Sequence, residues 1–282
     1  VISEVSEFGT LSLIFSYIIL FNVILSYGLE TSFFRFYNKE KNKKDVLNTT
    51  AISILVTSFL FASLFSLFKI NISDFTGISS GYLSLVVWIL VADALTVIPF
   101  AYLRLKGSAL KYLGVKIINI LVYFSLNIFL LIYLKGLTDS YEILESIYVE
   151  NYEVTYIFIA NLIASIVSLL LLAPFYFEIN YRANIKLLKK MLAYGFPILI
   201  SGLAFTINET FDKILLDFLL PPSIAKAQIG MYAACYKLAI FMTLFSTAYK
   251  LAIEPFFFSE VDKKNSKKSY ALVLETFVII GS

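Results

Sequence analysis

The chain has 282 residues, of which 59% are apolar and only 15% charged, whereas ordinary soluble domains carry about 25% charged residues. A water-soluble protein of this composition would expose too much apolar surface, so the composition predicts an integral membrane protein. The chain contains no His, one Cys (Cys235) and a net charge of only +3. These counts exclude Cys/His metal sites, His-dependent catalytic triads, disulfide scaffolds and a nucleic-acid partner.

Seven stretches of the sequence are long and apolar enough to cross a bilayer core about 30 Å thick as helices. In chain order they lie at about 8–29, 46–68, 82–103, 112–134, 154–177, 191–216 and 229–249. An eighth apolar stretch begins near residue 269 and is cut off by the end of the chain. The sequence therefore predicts an all-α, polytopic transmembrane helical bundle with about eight spans.

The distribution of Lys and Arg predicts the orientation of these spans. Every second connection is basic, and together they hold 18 cations: 35–45, 104–116, 178–190 and 250–268. The connections between them hold three cations in total: 69–81, 135–155 and 217–229. Because basic connections stay on the cytoplasmic side, the first set is predicted to be cytoplasmic and the second set to lie outside.

The two ends of the chain suggest a fragment of a longer protein. The chain starts at Val1 without an initiator Met, and the orientation places this end outside, so we expect one further helix upstream.

Residues 184–191 interleave apolar and basic side chains, which predicts a short helix on the cytoplasmic interface. The predicted organisation is an N-terminal lobe at 1–177, an amphipathic linker at 178–190 and the start of a C-terminal lobe at 191–282.

Five charged residues fall within or near the ends of the predicted spans, namely Asp93, Glu209, Asp212, Lys213 and Lys237. A charge near the bilayer centre costs about 2.5–3.5 kcal/mol on insertion scales, so such residues normally face protein or water and mark a functional path. A spacing of four residues predicts an ion pair between Glu209 and Lys213. This pair either lines a cavity, or the two charges only neutralise each other near the outer end of the helix. Lys237 either faces a cavity or extends its amine to the interface.

Other polar residues of the spans admit structural roles as well as functional ones. Arg35 and Arg104 lie at cytoplasmic helix ends, where they either anchor the helix or flank the mouth of a cavity. Four amides either form interhelical hydrogen bonds, which is the preferred interpretation, or contact a ligand: Asn22, Asn119, Asn127 and Asn161.

Four segments resemble a known family. Gly28-Leu29-Glu30-Thr31-Ser32-Phe33-Phe34-Arg35-Phe36-Tyr37 is similar to the end of the second span in bacterial lipid-linked oligosaccharide flippases. These belong to the multidrug/oligosaccharidyl-lipid/polysaccharide exporter superfamily. Three further segments resemble later parts of that family. Residues 99–104 with Lys111-Tyr112 resemble its fourth-to-fifth span junction, 194–198 with Asp212-Lys213 resemble the span that opens its second lobe, and 230–232 with Tyr236-Lys237 resemble the start of the next span.

The resemblance implies a two-lobed transporter of the bacterial cytoplasmic membrane. Its implied activity is to flip a polyprenyl-pyrophosphate-linked oligosaccharide by alternating access, for polysaccharide or O-antigen biosynthesis. The cations that would bind this anionic substrate are Arg35, Arg104, Lys213 and Lys237, and the residues that would balance charge or carry a coupling ion are Asp93, Glu209 and Asp212. Expected partners are the lipid-linked substrate, membrane lipids and polysaccharide polymerase or assembly proteins, with no cofactor or metal.

Two other functions stay open from the sequence. A multidrug/cation antiporter of the same superfamily would use the acidic residues of the spans, among them Asp93. A membrane polysaccharide polymerase or ligase would need a sizeable outer loop with Arg or His, whereas 135–155 holds one Lys and neither of these residues. A transporter without enzymatic activity is therefore the preferred interpretation.

Overall fold

The computed structural model describes residues 4–138, 148–150, 152–260, 271 and 275. Every regular element in these ranges is helical, which confirms the predicted all-α class. The helices are α1 (Val5–Ser26), α2 (Leu29–Lys39), α3 (Lys43–Thr76), α4 (Ser80–Leu105), α5 (Ala109–Ile128), α6 (Leu134–Thr138), α7 (Glu153–Phe177), α8 (Ile185–Leu219) and α9 (Pro222–Glu260), with a π-helical segment at Phe129–Tyr133 that joins α5 to α6.

Six helical stretches of the described chain are long and apolar enough to cross a membrane, which confirms the polytopic bundle. They are Val5–Lys39, Lys43–Thr76, Ser80–Leu105, Ala109–Tyr133, Glu153–Phe177 and Ile185–Leu219. The seventh predicted span lies inside α9 and is not among these six, and the eighth predicted span falls outside the described residues except for 271 and 275.

The first span is broken into two helices near its predicted cytoplasmic end. Tyr27 and Gly28 both have positive φ, 31° and 70°, which ends α1 and redirects the chain into α2. Residues 35–39, expected in a connection, are helical because Leu29, Phe33 and Phe36 recur at helical spacing and are buried. The basic connection that follows is therefore shorter than the sequence predicts.

The core of the bundle is built around α4, which packs on α1, α3 and α7. In its most apolar 18-residue stretch 72% of α4 is buried, whereas none of the corresponding stretch of α5 is buried. α5 contacts the bundle through α7 and α4 and leaves its remaining faces open. The polar residues Lys116 and Asn119 of α5 line a cavity between α5, α4 and α7.

The segment predicted as a short interfacial helix is instead the beginning of α8. α8 runs without a break from Ile185 to Leu219, and the side chain of Asn184 caps it by accepting a hydrogen bond from the backbone N–H of Leu187 at 3.1 Å. The preceding connection is held to α3, since the backbone N–H of Asn184 donates to Thr49 Oγ1 at 3.0 Å. The division into two lobes around this connection stays a prediction.

Two close backbone contacts join α1 and α2 to α8 and α9. At the predicted outer end, a Cβ atom on Gly9 would meet the carbonyl group of Lys226 and lie 2.9 Å from the backbone nitrogen of Gly230. At the predicted inner end, a Cβ on Gly28 would meet the backbone of Gly195. Only glycine permits helices to approach this closely, so these positions set the distance between the two helix pairs.

Candidate functional site

Two cavities with charged side chains in their walls lie along the same three helices, α1, α5 and α7; the walls of the first are mainly polar and those of the second mainly apolar. The Asp93 cavity has a volume of 470 Å³, also contacts α2 and α4, and is lined by Asn22, Glu30, Asp93, Arg104, Lys116 and Ser165, among others. The Lys213 cavity has a volume of 560 Å³, also contacts α8 and α9, and is lined by Ser12, Asn127, Glu209, Lys213, Tyr236 and Lys237, among others. By the predicted orientation, the first lies in the cytoplasmic half and the second in the outer half.

Asp93 is held at the centre of its cavity by hydrogen bonds from two other helices. Ser165 Oγ of α7 donates to Asp93 Oδ1 at 2.7 Å, and Asn22 Nδ2 of α1 donates to Oδ2 at 3.4 Å. Both carboxylate oxygens are therefore bonded, which offsets part of the cost of placing this group within a spanning helix.

The mouth of the Asp93 cavity carries an ion pair between Arg104 and Glu30. The two side chains are 42% and 38% exposed, so the pair is accessible to a solute in the cavity. The Arg104 guanidinium also lies over the ring of Phe34, with 5.0 Å between Cζ and the ring centroid. Lys116 adds a second cation, with its Nζ 4.3 Å from the ring centroid of Phe100. Two cations and two carboxylates thus face one cavity.

Lys213 is the most deeply placed cation of the second cavity, with a side chain only 10% exposed. Its Nζ lies 3.3 Å from Asp212 Oδ1 and 4.5 Å from the ring centroid of Tyr236. Tyr236 in turn donates a hydrogen bond from its hydroxyl to Glu209 Oε2 at 2.8 Å. The predicted ion pair between Glu209 and Lys213 is therefore wrong, because the Glu209 carboxylate is turned toward α9 and Lys213 pairs with its sequence neighbour.

Lys237 faces the same cavity from α9. Its Nζ lies 4.5 Å from the ring centroid of Phe8 on α1. Within the described part of the chain, Lys237 forms no ion pair and no side-chain hydrogen bond. Lys237 is thus an exposed cation that lines this cavity with its ammonium group over an aromatic ring.

Arg35 lies apart from both cavities. Its guanidinium stacks over the ring of Tyr194, with 4.1 Å between Cζ and the ring centroid, and so joins α2 to α8. The seven candidate residues therefore separate into an Asp93–Arg104 group, a group formed by Glu209, Asp212, Lys213 and Lys237, and Arg35 alone. Asp212 belongs to the second group as the ion-pair partner of Lys213.

The amides behave differently from one another. Asn22 bonds across to α4, and Asn119 Nδ2 donates to Ala164 O and Ser168 Oγ of α7, both at 2.9 Å, which confirms two interhelical bonds. Asn127 instead donates to the Tyr123 carbonyl of its own helix at 2.7 Å, so the predicted interhelical bond is wrong there. Asn161 lines the Asp93 cavity.

A polar stripe on α5, which the sequence analysis overlooked, connects the two cavities. Lys116 and Asn119 line the Asp93 cavity, while Tyr123 and Asn127 line the Lys213 cavity. Spacings of three and four place all four side chains on one face of the helix. The sequence feature that predicts this stripe is the recurrence of polar residues at helical spacing inside an apolar span. Because Lys116 is counted with the connection 104–116, the repeat is missed.

The described residues contain no group of three or more His, Cys, Asp or Glu side chains arranged to hold a metal ion. The side chains that line the two cavities offer charge pairing and hydrogen bonding, through ammonium, guanidinium, amide, hydroxyl and carboxylate groups.

Comparisons with known proteins supply the family. A family model described as "Polysaccharide biosynthesis protein" matches residues 2–259, which is nearly the whole chain. No curated protein and no solved structure matches the chain.

Proposed function

Because the chain belongs to the family of polysaccharide biosynthesis proteins, we propose that it is a flippase for a polyprenyl-pyrophosphate-linked oligosaccharide. The family assigns the chain a role in polysaccharide synthesis or export, and the six spanning helices make it a multi-pass membrane protein. The proposal adds the substrate, its movement from the cytoplasmic to the outer leaflet of a bacterial cytoplasmic membrane, and a transport role without catalysis.

The observation that carries the proposal is the unpaired charge of Lys237. An ammonium group within a membrane protein normally has a counter-ion or reaches water, because its desolvation is costly. Asp212 offsets Lys213 in this cavity, whereas Lys237 lies over the Phe8 ring and forms no ion pair among the described residues. A pyrophosphate is the type of anion that such a site would hold, through charge-assisted hydrogen bonds of the ammonium group.

The Asp93 cavity supports a first binding step on the cytoplasmic side. Arg104 is already paired with Glu30 at an accessible mouth, so an incoming pyrophosphate can take the place of the Glu30 carboxylate. A guanidinium group binds phosphate oxygens in a bidentate manner, which favours this exchange. The polar stripe on α5 then offers donors between this cavity and the Lys213 cavity.

Alternating access requires α1 to separate from α8 and α9 at one end at a time. The two glycine contacts, Gly9 with Gly230 and Gly28 with Gly195, lie at opposite ends of this contact. In the proposal, the first contact closes the transport path at its outer end and the second closes it at its inner end. Asp93 either balances the cations of its cavity or carries the coupling ion, a proton or sodium.

The test uses the full-length protein in liposomes with a fluorescent polyprenyl-pyrophosphate oligosaccharide, and measures lipid translocation between leaflets. We expect Lys237→Gln to reduce the rate at least about tenfold, since loss of one charge-assisted contact is worth about 1.5–3 kcal/mol. Lys237→Arg should retain most activity. Lys41→Gln is the matched control, because it removes the same charge from an exposed connection outside both cavities.

Two results would contradict the proposal. One is an unchanged translocation rate in both Lys237→Gln and Arg104→Gln while the proteins insert normally. The other is equal loss in the Lys41→Gln control, which would mean that overall charge and not the cavity matters.

A further inference from the structure

A third cavity lies on a side of the bundle that the proposed transport path does not use. This crevice has a volume of 620 Å³ and is formed by the end of α4, the beginning of α5 and the end of α7. Its size falls within the roughly 300–1,000 Å³ that is usual for small-molecule sites. By the predicted orientation it opens at the cytoplasmic surface of the membrane.

The rim of the crevice is basic. Lys106 begins the short connection between α4 and α5, which turns at Gly107 with φ of 66°, and Lys111 lies in the first turn of α5. Both side chains are exposed, and within the described part of the chain neither forms an ion pair. Ser108 stands between them, and its hydroxyl does not cap α5. One carboxylate, Glu178, shares the rim, so the rim residues carry a net charge of +1.

The wall below this rim is apolar. It is formed by side chains from all three helices, among them Pro99, Val115, Ile118, Leu171 and Phe175. Ile118 and Leu171 are exposed on the surface of the bundle, so the crevice would be accessible from the bilayer if this surface faces lipid. Cationic groups at the level of the headgroups with an apolar channel beneath them match an anionic lipid.

A small hydrophobic cluster separates this crevice from the Asp93 cavity. Phe100, Val115 and Leu172 are buried together, with Leu103 and Tyr112 packed against them. Phe100 and Tyr112 line the Asp93 cavity, whereas Val115, Leu172 and Leu103 line the crevice. A molecule in the crevice is therefore kept out of the polar cavity by packed side chains.

We propose that the crevice binds one anionic phospholipid of the cytoplasmic leaflet. Its phosphate is held by Lys106, Lys111 and the Ser108 hydroxyl, and one acyl chain lies along the apolar wall. Charge complementarity selects an anionic headgroup over a zwitterionic one. The lipid-linked substrate is a less suitable occupant, because the cluster of Phe100, Val115 and Leu172 separates the crevice from the Asp93 cavity of the proposed path.

The experiment measures lipid retention by native mass spectrometry of the purified full-length protein, titrated with phosphatidylglycerol or with phosphatidylcholine of the same chain length. A basic residue near the membrane surface contributes about fivefold to binding of an anionic lipid. The double variant Lys106→Gln/Lys111→Gln is therefore expected to bind phosphatidylglycerol about 25-fold more weakly. Glu178→Gln should bind it more tightly, since the carboxylate of the rim is lost.

The matched control is Lys39→Gln/Lys41→Gln, which removes two exposed cations from the same predicted side outside the crevice. Unchanged phosphatidylglycerol binding in this control, together with the loss in the rim variant, supports the proposal. Equal binding of the two lipids by the unmodified protein would overturn it, and so would equal effects of the two double variants. Polyprenyl pyrophosphate that displaces phosphatidylglycerol and itself depends on Lys106 and Lys111 would make the crevice a substrate site instead.

Discussion

The contact between α1 and α9 at Gly9 can be tested by a single methyl group. In Gly9→Ala the new Cβ would meet the backbone of Lys226 and Gly230, and backbone atoms of a helix cannot turn aside as a side chain does. The two helices must therefore move apart or the chain must distort. Overpacking of this type costs about 1–3 kcal/mol.

The expected loss of unfolding free energy in Gly9→Ala follows from comparison with a glycine that has free space around its Cβ position. Alanine is more favourable than glycine inside a helix by about 0.5–1 kcal/mol, and this gain applies to any helical position. A Cβ on Gly114 of α5 would meet nothing within 4 Å, so Gly114→Ala contains the helix gain alone. The difference in unfolding free energy between Gly9→Ala and Gly114→Ala should therefore equal the overpacking cost, about 1–3 kcal/mol.

The assay is reversible unfolding of the purified full-length protein in mixed micelles, followed by circular dichroism. Gly114→Ala is expected to be as stable as the unmodified protein or slightly more stable, and Gly9→Ala less stable. If Gly9→Ala proves as stable as Gly114→Ala, α1 and α9 do not touch at this point, and the proposed outer closure between them is refuted with it.

Three further outcomes are expected in the same unfolding assay. Asp93→Ala should lower stability by about 1–3 kcal/mol relative to Asp93→Asn, because alanine leaves two hydrogen-bond donors without a partner; equal stabilities would mean that those bonds do not form. Glu30→Gln should change stability by less than about 1 kcal/mol, since its pair with Arg104 is well exposed, and a large loss would contradict the accessible mouth. Tyr194→Leu should lower the free energy of unfolding by about 0.5–1 kcal/mol, because it removes the ring under Arg35. Arg35→Gln should lower it little further when it is made in the Tyr194→Leu variant.

Most of the fold was predictable from local sequence. A run of about twenty apolar residues has to form a helix in a bilayer, because each backbone polar group needs a partner within its own segment. The predicted spans at 46–68 and 82–103 accordingly lie inside α3 and α4. Prediction was weaker at helix ends, where α2 extends into an expected connection and α8 begins at the expected interfacial helix, because amphipathic segments are decided by the neighbours they pack on.

The candidate site was predictable as a set of residue types but not as a set of contacts. Charges that remain inside spans identified Asp93 and Lys213, which line different cavities. The partner of Lys213 was predicted wrongly, because helical spacing places Glu209 on the same face but does not say that Tyr236 of α9 competes for its carboxylate. Glu30 was overlooked because its partner Arg104 is 74 residues away in the sequence.

Composition and the position of each cation by themselves determined that this chain is a helical membrane protein, and they predict its orientation. These properties depend on the transfer of each segment from water to lipid, which is a local free energy. The tertiary structure alone decided which side chains share a cavity, that Lys237 has no counter-ion within the described chain, and that two lysines beside a tight turn stand over an apolar crevice. These features arise where distant segments meet, and no free energy of a single segment specifies them.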